Sequence, residues 1–555
     1  MTKNYQKFRP RILFVSSLIV FIWVGLSLRL VKIMVFDSSY YRKIGFNQSQ
    51  KQEPLKAVRG NIFDRNQVQL TKNIIHYSIG AHPKKILKKE ELSETLSNIT
   101  GRDAEIYFNK LSSNRPFVTL EPKIKRELGE KVLENLPNLI VERKSRRSYP
   151  HSNIASQVIG FTNTDDSGLV GIERQFEEYL SGKDGWIVKQ VNVAGKTGSF
   201  HKANYPKQDP DDGSNIQLTI DLEYQSILQE ELQRRIDESG AKGAMGILMD
   251  PQNGDILAMA SLPDFDLNNP NTTPLENQKN KVITDQFEPG STFKIVAATA
   301  ALNTGKVSLD DEFNCEVGKF EFDGWTISDH EKFGVLTFPQ IIANSSNVGV
   351  IKIAQIIGKE PLYRLSRNYG FGTPTGISFP GESQGILRQK KDWSKMSLAS
   401  VSIGYEVGVT ALQIASAYSA IANGGVLLKP QIVRQIISNK GELLYKSKPE
   451  PIRKVVKAET MLIMKEILSK VINEGTGSKA DVEGWSVAGK TGTARKYMKG
   501  GYSKKYISNF AGFFPTENPR IVGVVMLDEP NYGLHWGGYG AAPLFKRIAQ
   551  RIINL

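Results

Sequence analysis

Residues 287–302 read FEPGSTFKIVAATAAL. Pro289-Gly290 interrupts regular secondary structure, and the residues that follow are compatible with a helix. Ser291 is therefore predicted at a helix N-terminus, with Lys294 one turn further along on the same face. Free backbone N–H groups and the helix dipole at that end would stabilise an oxyanion, and a lysine on so apolar a helix could act as a base. A serine cap beside a surface lysine is the alternative interpretation of this pattern taken alone.

The N-terminal region contains one long apolar segment. Residues 12–28 carry no charge, and only two charged residues interrupt the apolar character from there to Phe36, a length that spans a bilayer. Basic residues without an acidic one precede it, which predicts a cytoplasmic N-terminus. A cleaved signal peptide is the competing interpretation, but the segment is long for one and no A-x-A-like site follows. We predict a cytoplasmic tail at 1–11 and a single-pass signal anchor at 12–36, with the rest outside the cytoplasm.

Length and composition predict two or three globular domains, because the chain has 555 residues of which 40% are hydrophobic. The net charge of +15 is spread along the chain without a basic stripe interleaved with aromatic residues, so no nucleic-acid partner is expected. One cysteine excludes an internal disulfide framework, and no C-x-x-C or H-E-x-x-H pattern suggests a metal site. No metal or organic cofactor is predicted.

A polar stretch at 204–214 separates two regions of different pattern. Residues 37–214 alternate short strand-like and helical patterns. From residue 215 a strand, a helix and a hairpin turning at Asn253-Gly254 precede the Ser291 helix. Several helices come next. Strands are then predicted at 485–494, 507–514 and 520–527, and a closing helix at 542–555. This order predicts an α+β domain in which an antiparallel sheet packs between helices.

Two short patterns follow S-x-x-K along the chain. Ser345-Ser346-Asn347 lies between two helical stretches, and Lys490-Thr491-Gly492-Thr493 lies in a predicted strand. S-x-x-K, S-D-N and K-T-G in this order are typical of β-lactamases and penicillin-binding proteins, and here Ser346 replaces the aspartate. Strand alternation puts Lys490 and Gly492 on one side, where a glycine would leave room for a substrate backbone. The order of the patterns carries the prediction, since each alone is common by chance.

Three further patterns are rejected as catalytic motifs. Lys196-Thr197-Gly198 repeats K-T-G but precedes Ser291. Residues 484–491 fit the phosphate-loop pattern, but no apolar strand precedes them and no helix follows. Residues 381–385 fit the hydrolase pattern G-x-S-x-G, but no clear helix follows them and His535 is the only later histidine.

With these motifs the chain resembles the class B penicillin-binding proteins, and most of all their division-specific peptidoglycan transpeptidases. The resemblance extends from the membrane anchor to the C-terminus. Residues 59–66 and 168–173 resemble the non-catalytic pedestal of that family, although Gln67 replaces a usual glycine. The resemblance implies an elongated pedestal of the dimerisation type at 37–214 and a transpeptidase domain at 215–555.

The resemblance also implies a serine acyl-enzyme. Ser291 would attack the penultimate D-alanine carbonyl of a stem peptide, and Lys294 would take its proton. The backbone N–H groups of Ser291 and Thr493 would form the oxyanion hole. Ser345 would help return a proton to the leaving D-alanine, with Lys490 supplying positive charge. The implied substrate-binding residues are Asn347, Thr491, Gly492 and Thr493.

The implied activity is cross-linking of peptidoglycan stem peptides at the division septum, on the periplasmic side of the inner (plasma) membrane, with β-lactams as inhibitors. The implied partners are the membrane, other division proteins and a SEDS-type glycan polymerase, because the pedestal lacks the E-D-x-x-F element of class A relatives. Four alternatives stay open: an elongation-type transpeptidase, a D,D-carboxypeptidase, a membrane-anchored β-lactam sensor and a non-catalytic division scaffold.

Overall fold

The computed structural model describes residues 5–136, 139–190, 206–498 and 500–555. They form two compact units, Met1–Ala57 with Gly182–Asp212 and Val58–Ser181 with Gly213–Leu555. The rejected K-T-G pattern at 196–198 lies outside the described residues, as does the first part of the polar stretch predicted at 204–214.

The first unit contains the apolar N-terminal helix. This helix spans Tyr5–Val31 and continues through a π-helical turn at Lys32–Phe36, after which a second helix spans Ser38–Ser49. The segment Arg9–Phe36 is long and apolar enough to cross a membrane, and it includes the predicted anchor. The unit also holds a three-stranded antiparallel sheet, made of Gln50–Leu55, Gly185–Gln190 and Lys207–Gln208.

Residues 58–181 of the second unit are built on a three-stranded antiparallel sheet. Strand β1 (Lys72–Ala81) lies between β2 (Val118–Lys125) and β3 (Ile140–Ser148). Helices share a buried core with this sheet through Ile79, Leu120 and Val132. The helices of this region are Lys89–Thr100, Ala104–Leu111, Arg126–Asn135, Ser156–Ile159, Gly171–Gln175 and Glu177–Leu180.

The two stretches that resemble the family's pedestal meet in a buried charge network. The Glu173 carboxylate accepts hydrogen bonds from Arg59 Nε and Arg147 Nε, each at 2.7 Å. All three side chains are at most 3% exposed. Removing one member of such a network leaves an uncompensated buried charge. Gln67, at the position of the usual glycine, has φ 68°, in the left-handed region that glycine favours.

The second unit also contains the predicted antiparallel sheet. Strands β4 (Gly243–Met249) and β5 (Ile256–Leu262) form the predicted hairpin. The C-terminal strands are β6 (Ala488–Met498), β7 (Gly501–Phe514) and β8 (Ile521–Asp528), and the sheet order is β5-β4-β8-β7-β6. The first hairpin therefore pairs with the last strand, and β6 with its K-T-G lies at one edge.

Helices cover both faces of this sheet, as predicted. Successive residues of β4 enter two different cores: Ile247 packs with the central helices and Leu248 with Leu222–Ser239 and Ala541–Ile553. The central helices are α1 (Lys294–Thr304), α2 (Phe338–Ala343) and α3 (Asn347–Ile357), with Lys281–Thr284, Lys359–Asn368, Ser397–Ser402, Ala411–Ala422 and Ala458–Asn473.

Short strands complete the second unit. Asn215–Leu218, predicted to open the transpeptidase domain, pairs in parallel with Ile62–Phe63, and the other strands of that sheet are Val433–Ile437 and Leu443–Lys446. The domain boundary at 214 stays a prediction. Two-stranded ladders form from Glu312–Asn314 and Val335–Thr337, Lys319–Phe322 and Trp325–Ser328, Ile386–Leu387 and Val407–Gly408, and Val426–Leu428 and Pro451–Lys454.

Candidate active site

Ser291 lies where the sequence predicted it, at the entrance to a helix. A 3₁₀ turn at Gly290–Phe293 leads directly into α1. Gly290 has φ 57°, and a Cβ atom on it would lie 2.7 Å from the Thr493 carbonyl oxygen of β6. A glycine is therefore needed for the turn to pass against that strand. Ser291 faces a cleft of about 800 Å³.

Lys294 is fully buried below Ser291. Its Nζ donates to the Ser345 carbonyl oxygen at 2.5 Å, to Asn347 Oδ1 at 2.8 Å and to Ser345 Oγ at 3.3 Å. Burial lowers the pKa of Lys294 to about 7, although the negative charge of Asp329 opposes the shift. Among the described residues, no side-chain hydrogen bond joins Lys294 to Ser291, and only the Lys294 backbone N–H donates to the Ser291 carbonyl oxygen. The structure therefore connects Lys294 to the S-x-N motif.

Asp329 fixes the S-x-N motif, and the sequence patterns did not identify it. Its carboxylate accepts hydrogen bonds from Ser346 Oγ at 2.6 Å, from the Asn347 N–H and from the Val348 N–H at 3.1 Å. These N–H groups are the unpaired donors at the start of α3, where a negative charge is favourable. Ser346 Oγ also accepts from the Gly349 N–H at 3.0 Å. Ser346 thus caps α3 with help from a loop aspartate.

Ser345 has an unusual backbone conformation in this motif. Its φ is 58°, in the left-handed region that a residue with a Cβ atom adopts at a cost of about 1–3 kcal/mol. The conformation turns the chain between α2 and α3, and it presents both the carbonyl oxygen and the hydroxyl of Ser345 to Lys294. The hydrogen bonds to Asp329 and Lys294 stabilise this turn.

The K-T-G residues occupy the part of β6 that borders the cleft. Thr491 and Thr493 line the cleft, and Thr493 Oγ1 accepts from the Gly537 N–H at 2.9 Å. Lys490 is fully buried, but its Nζ reaches back to the Thr491 carbonyl oxygen at 3.3 Å and to the Thr491 hydroxyl at 3.4 Å. Burial, with the charge of Lys294, lowers the pKa of Lys490. The Lys490 amine therefore lies next to the cleft, although the Lys490 side chain leaves β6 on the face opposite to that of Thr491 and Thr493.

A buried side chain of the neighbouring strand leaves no room for a Cβ atom at Gly492. A Cβ atom there would lie 2.3 Å from Asn509 Oδ1 on the paired strand β7. Asn509 Nδ2 in turn donates to the Pro289 carbonyl oxygen at 3.3 Å. The glycine therefore leaves room for the Asn509 side chain, which connects β7 with the Ser291 turn. The approach of a substrate backbone to Gly492 stays a prediction.

The cleft has further lining residues that the sequence patterns did not identify. Tyr532 and His535 stack at 4.8 Å, and Trp536 lies 4.9 Å from His535. Lys479 and Arg495 add positive charge to the same cleft. The three aromatic residues lie in the loop after β8, Lys479 lies in a 3₁₀ turn and Arg495 lies in β6. They add an aromatic cluster and two cations to a cleft that Glu331 and Glu474 also line.

Metal chemistry has no visible ligand set in this region. Across the described part of the chain, no group of three or more His, Cys, Asp and Glu side chains is placed to hold a metal ion. Hydroxyl, amine, imidazole and carboxylate groups line the cleft.

Two family models match the chain. The penicillin-binding protein transpeptidase domain matches residues 244–550, and the penicillin-binding protein dimerisation domain matches residues 54–218. The first includes all the candidate site residues, and the second covers the pedestal sheet.

Curated relatives match nearly the whole chain. The probable peptidoglycan D,D-transpeptidase PenA of Neisseria meningitidis is 31% identical over 98% of this chain and 92% of its own length. Stage V sporulation protein D of Bacillus subtilis is 31% identical over 98% of this chain and 85% of its own. Peptidoglycan D,D-transpeptidase FtsI of Escherichia coli is 30% identical over 95% of this chain and 88% of its own.

Solved structures agree with these matches. A peptidoglycan synthetase from Bifidobacterium adolescentis has a TM-score of 0.73 at 25% identity, covering 91% of this chain and 96% of its own. Penicillin-binding protein 3 from Mycobacterium tuberculosis, complexed with ampicillin, has a TM-score of 0.68 at 29% identity, covering 90% of this chain and 96% of its own. The chain therefore belongs to the class B penicillin-binding proteins, and it is a peptidoglycan D,D-transpeptidase.

Proposed function

We propose that Ser291 is the nucleophile of this D,D-transpeptidase and forms an acyl-enzyme with the donor stem peptide. One observation carries the proposal: Ser291 opens onto the cleft one helical turn from a fully buried lysine whose pKa is lowered to about 7. An amine with that pKa is neutral in roughly half of the molecules at pH 7 and can accept a proton.

In the proposed acylation, Ser291 Oγ attacks the penultimate D-alanine carbonyl and its proton passes to Lys294. The N–H groups of Ser291 and Thr493 stabilise the oxyanion, a contribution worth about 3–4 kcal/mol per donor in other acyl-transfer enzymes. The C–N bond to the terminal D-alanine then breaks, and the leaving amine takes a proton. The contact of Lys294 Nζ with Ser345 Oγ supports a path through Ser345 for that proton.

Deacylation completes the cross-link. An acceptor amine attacks the ester carbonyl, the ester bond to Ser291 breaks, and the proton of the amine returns through the same groups to Ser291 Oγ. The product is an amide between two stem peptides.

The donor peptide is proposed to lie along β6. Thr491 and Thr493 would bind its terminal carboxylate through their hydroxyls, and Gly492 would lie beneath its backbone. Lys490 would add positive charge through its contact with the Thr491 hydroxyl. Asn347 would hold a substrate amide, since its Oδ1 and Nδ2 are fixed by Lys294 and by the Ser328 carbonyl oxygen.

The cellular setting is also a proposal. The likeness to FtsI supports action at the division septum with a SEDS-type polymerase and other division proteins, and the apolar N-terminal helix supports a single-pass anchor. The basic residues before that helix favour a cytoplasmic N-terminus and a periplasmic transpeptidase domain. Depletion in growing cells tests the site of action, since loss of a septal enzyme gives filaments and loss of an elongation-type enzyme gives rounded cells.

Labelling with a fluorescent penicillin tests the nucleophile. The wild type and Ser383→Ala should both become labelled, because Ser383 belongs to the rejected G-x-S-x-G pattern, whereas Ser291→Ala should not. Equal labelling of Ser291→Ala would refute the assignment.

A reaction with separate donor and acceptor peptides distinguishes the remaining activities. A cross-linked product identifies the transpeptidase. Release of D-alanine without cross-links identifies a D,D-carboxypeptidase, and a stable acyl-enzyme without turnover of either peptide identifies a β-lactam sensor. Viable cells carrying Ser291→Ala would point to a non-catalytic scaffold.

A further inference from the structure

A second cavity, of about 230 Å³, lies against the pedestal sheet and shares no lining residue with the Ser291 cleft. All three strands of the sheet contribute to it, together with the loop that follows β5. No carboxylate lines it. Its polar lining residues are His76 from β1, Lys123 from β2, Arg146, Arg147 and Ser148 from β3, and Asn268 and Asn269 from the loop.

The strand register concentrates positive charge at this cavity. On β1, Ile74 lies opposite Arg146 of β3, and His76 lies opposite Lys144. Among the described residues, neither Lys123 nor Arg146 forms an ion pair. Lys123 and Arg146 lie on the two strands that flank β1 and line the same cavity, so their like charges repel each other. The fold therefore tolerates a repulsive arrangement that a bound anion would relieve.

Electrostatic shifts at the same place agree with this description. Burial lowers the pKa of Lys123, and the charge of Arg146 lowers it further. Burial also lowers the pKa of His76, with additional lowering from Lys123, Arg146 and Lys144. Each group is thus exposed to the positive potential of the others.

The loop side of the cavity is held firmly in place. Asn268 accepts from the Tyr149 N–H at 3.1 Å and donates to the Tyr149 carbonyl oxygen at 2.8 Å, while Arg146 Nη2 donates to the Asn268 carbonyl oxygen at 3.3 Å. The cavity is therefore a preformed junction between β3 and the loop at 268–269. Preformed sites bind without a large ordering penalty.

We propose that this cavity binds a phosphate-class oxyanion, which bridges the pedestal sheet and the loop at 268–269. A guanidinium offers a planar pair of donors that matches phosphate oxygens, and an ammonium adds a compact charge. Arg146 and Lys123 provide one of each at the mouth of the cavity. The anion is either free phosphate or the phosphodiester of a lipid headgroup or wall polymer.

Calorimetric titration of the full-length protein in detergent with inorganic phosphate, against chloride at equal ionic strength, tests the proposal. We expect one saturable site whose affinity falls at least tenfold in Lys123→Gln and in Arg146→Gln. Lys131→Gln, an exposed lysine on the pedestal helix Arg126–Asn135, is the matched control and should bind as the wild type does. Lys123→Arg should retain binding. Penicillin labelling at the wild-type level shows that each variant is folded.

Two results would overturn the proposal: no saturation by phosphate in the wild type, or undiminished affinity in the double variant Lys123→Gln/Arg146→Gln. A soluble glycerophosphodiester separates the two sources. If it competes with phosphate, the site accepts headgroup or polymer phosphodiesters, and if it does not, the site takes the free ion.

Discussion

Replacing Asp329 with asparagine changes one charge at the active site while preserving most of its geometry. The Asn carbonyl oxygen can still accept from the N–H groups of Asn347 and Val348, and its amide can donate to Ser346 Oγ. Because Asp329 opposes the burial that lowers the pKa of Lys294 to about 7, the substitution should lower that pKa further.

Two magnitudes follow from these contacts. A shift of one pKa unit corresponds to about 1.4 kcal/mol, and we expect the acidic limb of the acylation profile to move to lower pH by up to about one unit. Three hydrogen bonds lose their charge assistance, at about 1 kcal/mol each, so the free energy of unfolding should fall by about 2–3 kcal/mol.

The assay is the second-order rate of acylation by a fluorescent penicillin between pH 5 and 9, together with urea denaturation. Asp311→Asn is the matched control, because the Asp311 carboxylate also accepts from a neighbouring serine but is exposed. It should leave the acidic limb in place. His330 lines the cleft and has a pKa lowered by burial, so the series is repeated with His330→Gln to remove its titration. An acidic limb that stays fixed or moves to higher pH in Asp329→Asn would refute the assignment of Lys294 as the base.

Three other substitutions test separate parts of the structure. Gly492→Ala should lower the unfolding free energy by about 1–3 kcal/mol and slow acylation at least tenfold, because the new Cβ meets Asn509 Oδ1 at 2.3 Å. Ser345→Gly should slow acylation at least tenfold without loss of thermal stability, because glycine relieves the positive φ while removing the hydroxyl. Glu173→Ala should lower the urea midpoint by the equivalent of about 3–5 kcal/mol, because it leaves the buried Arg147 without a carboxylate and Arg59 with Glu177 alone.

Each of these has a control. Gly334→Ala adds a Cβ with no heavy atom within 4 Å and should be neutral. Ser346→Ala removes the hydroxyl that caps α3 and should destabilise by about 1 kcal/mol, unlike Ser345→Gly. Glu91→Ala breaks an exposed ion pair and should change stability by less than about 1 kcal/mol. A stable and active Gly492→Ala, a destabilised Ser345→Gly or a neutral Glu173→Ala would contradict the corresponding explanation.

Local sequence was sufficient to place the three motifs. The turn-forming residues Pro289-Gly290 and the apolar run after them predicted the turn and helix that carry Ser291. Asn253-Gly254 predicted the first hairpin. Strand alternation predicted Lys490 and Gly492 on one side of β6. These features depend on residues only a few positions apart, which is why their patterns are visible without a structure.

Long-range neighbours were not predictable in the same way. Asp329 lies 18 residues before Asn347 in a polar loop, and nothing around it marks a partner of the S-x-N motif. The interpretation of Gly492 as space for substrate stays a prediction, and nothing in the sequence indicated that Asn509 of the neighbouring strand lies next to it. The buried contact of Lys294 with Ser345 likewise depends on how α1 and α3 pack. Such contacts arise from the packing of distant segments.

The pairing of β4 with β8 has a consequence for biosynthesis. Met249 lies opposite Val522, so about 270 residues of chain must be made before β4 acquires its partner. Contacts between segments so far apart fold slowly, because the intervening chain must lose its freedom first. Until the ribosome has released β8, the nascent protein carries an apolar hairpin with an open edge, which is a template for aggregation and a binding site for chaperones. A chain terminated prematurely before residue 520 would make Ser291 and the S-x-N motif and still be unable to assemble the sheet that brings K-T-G to them.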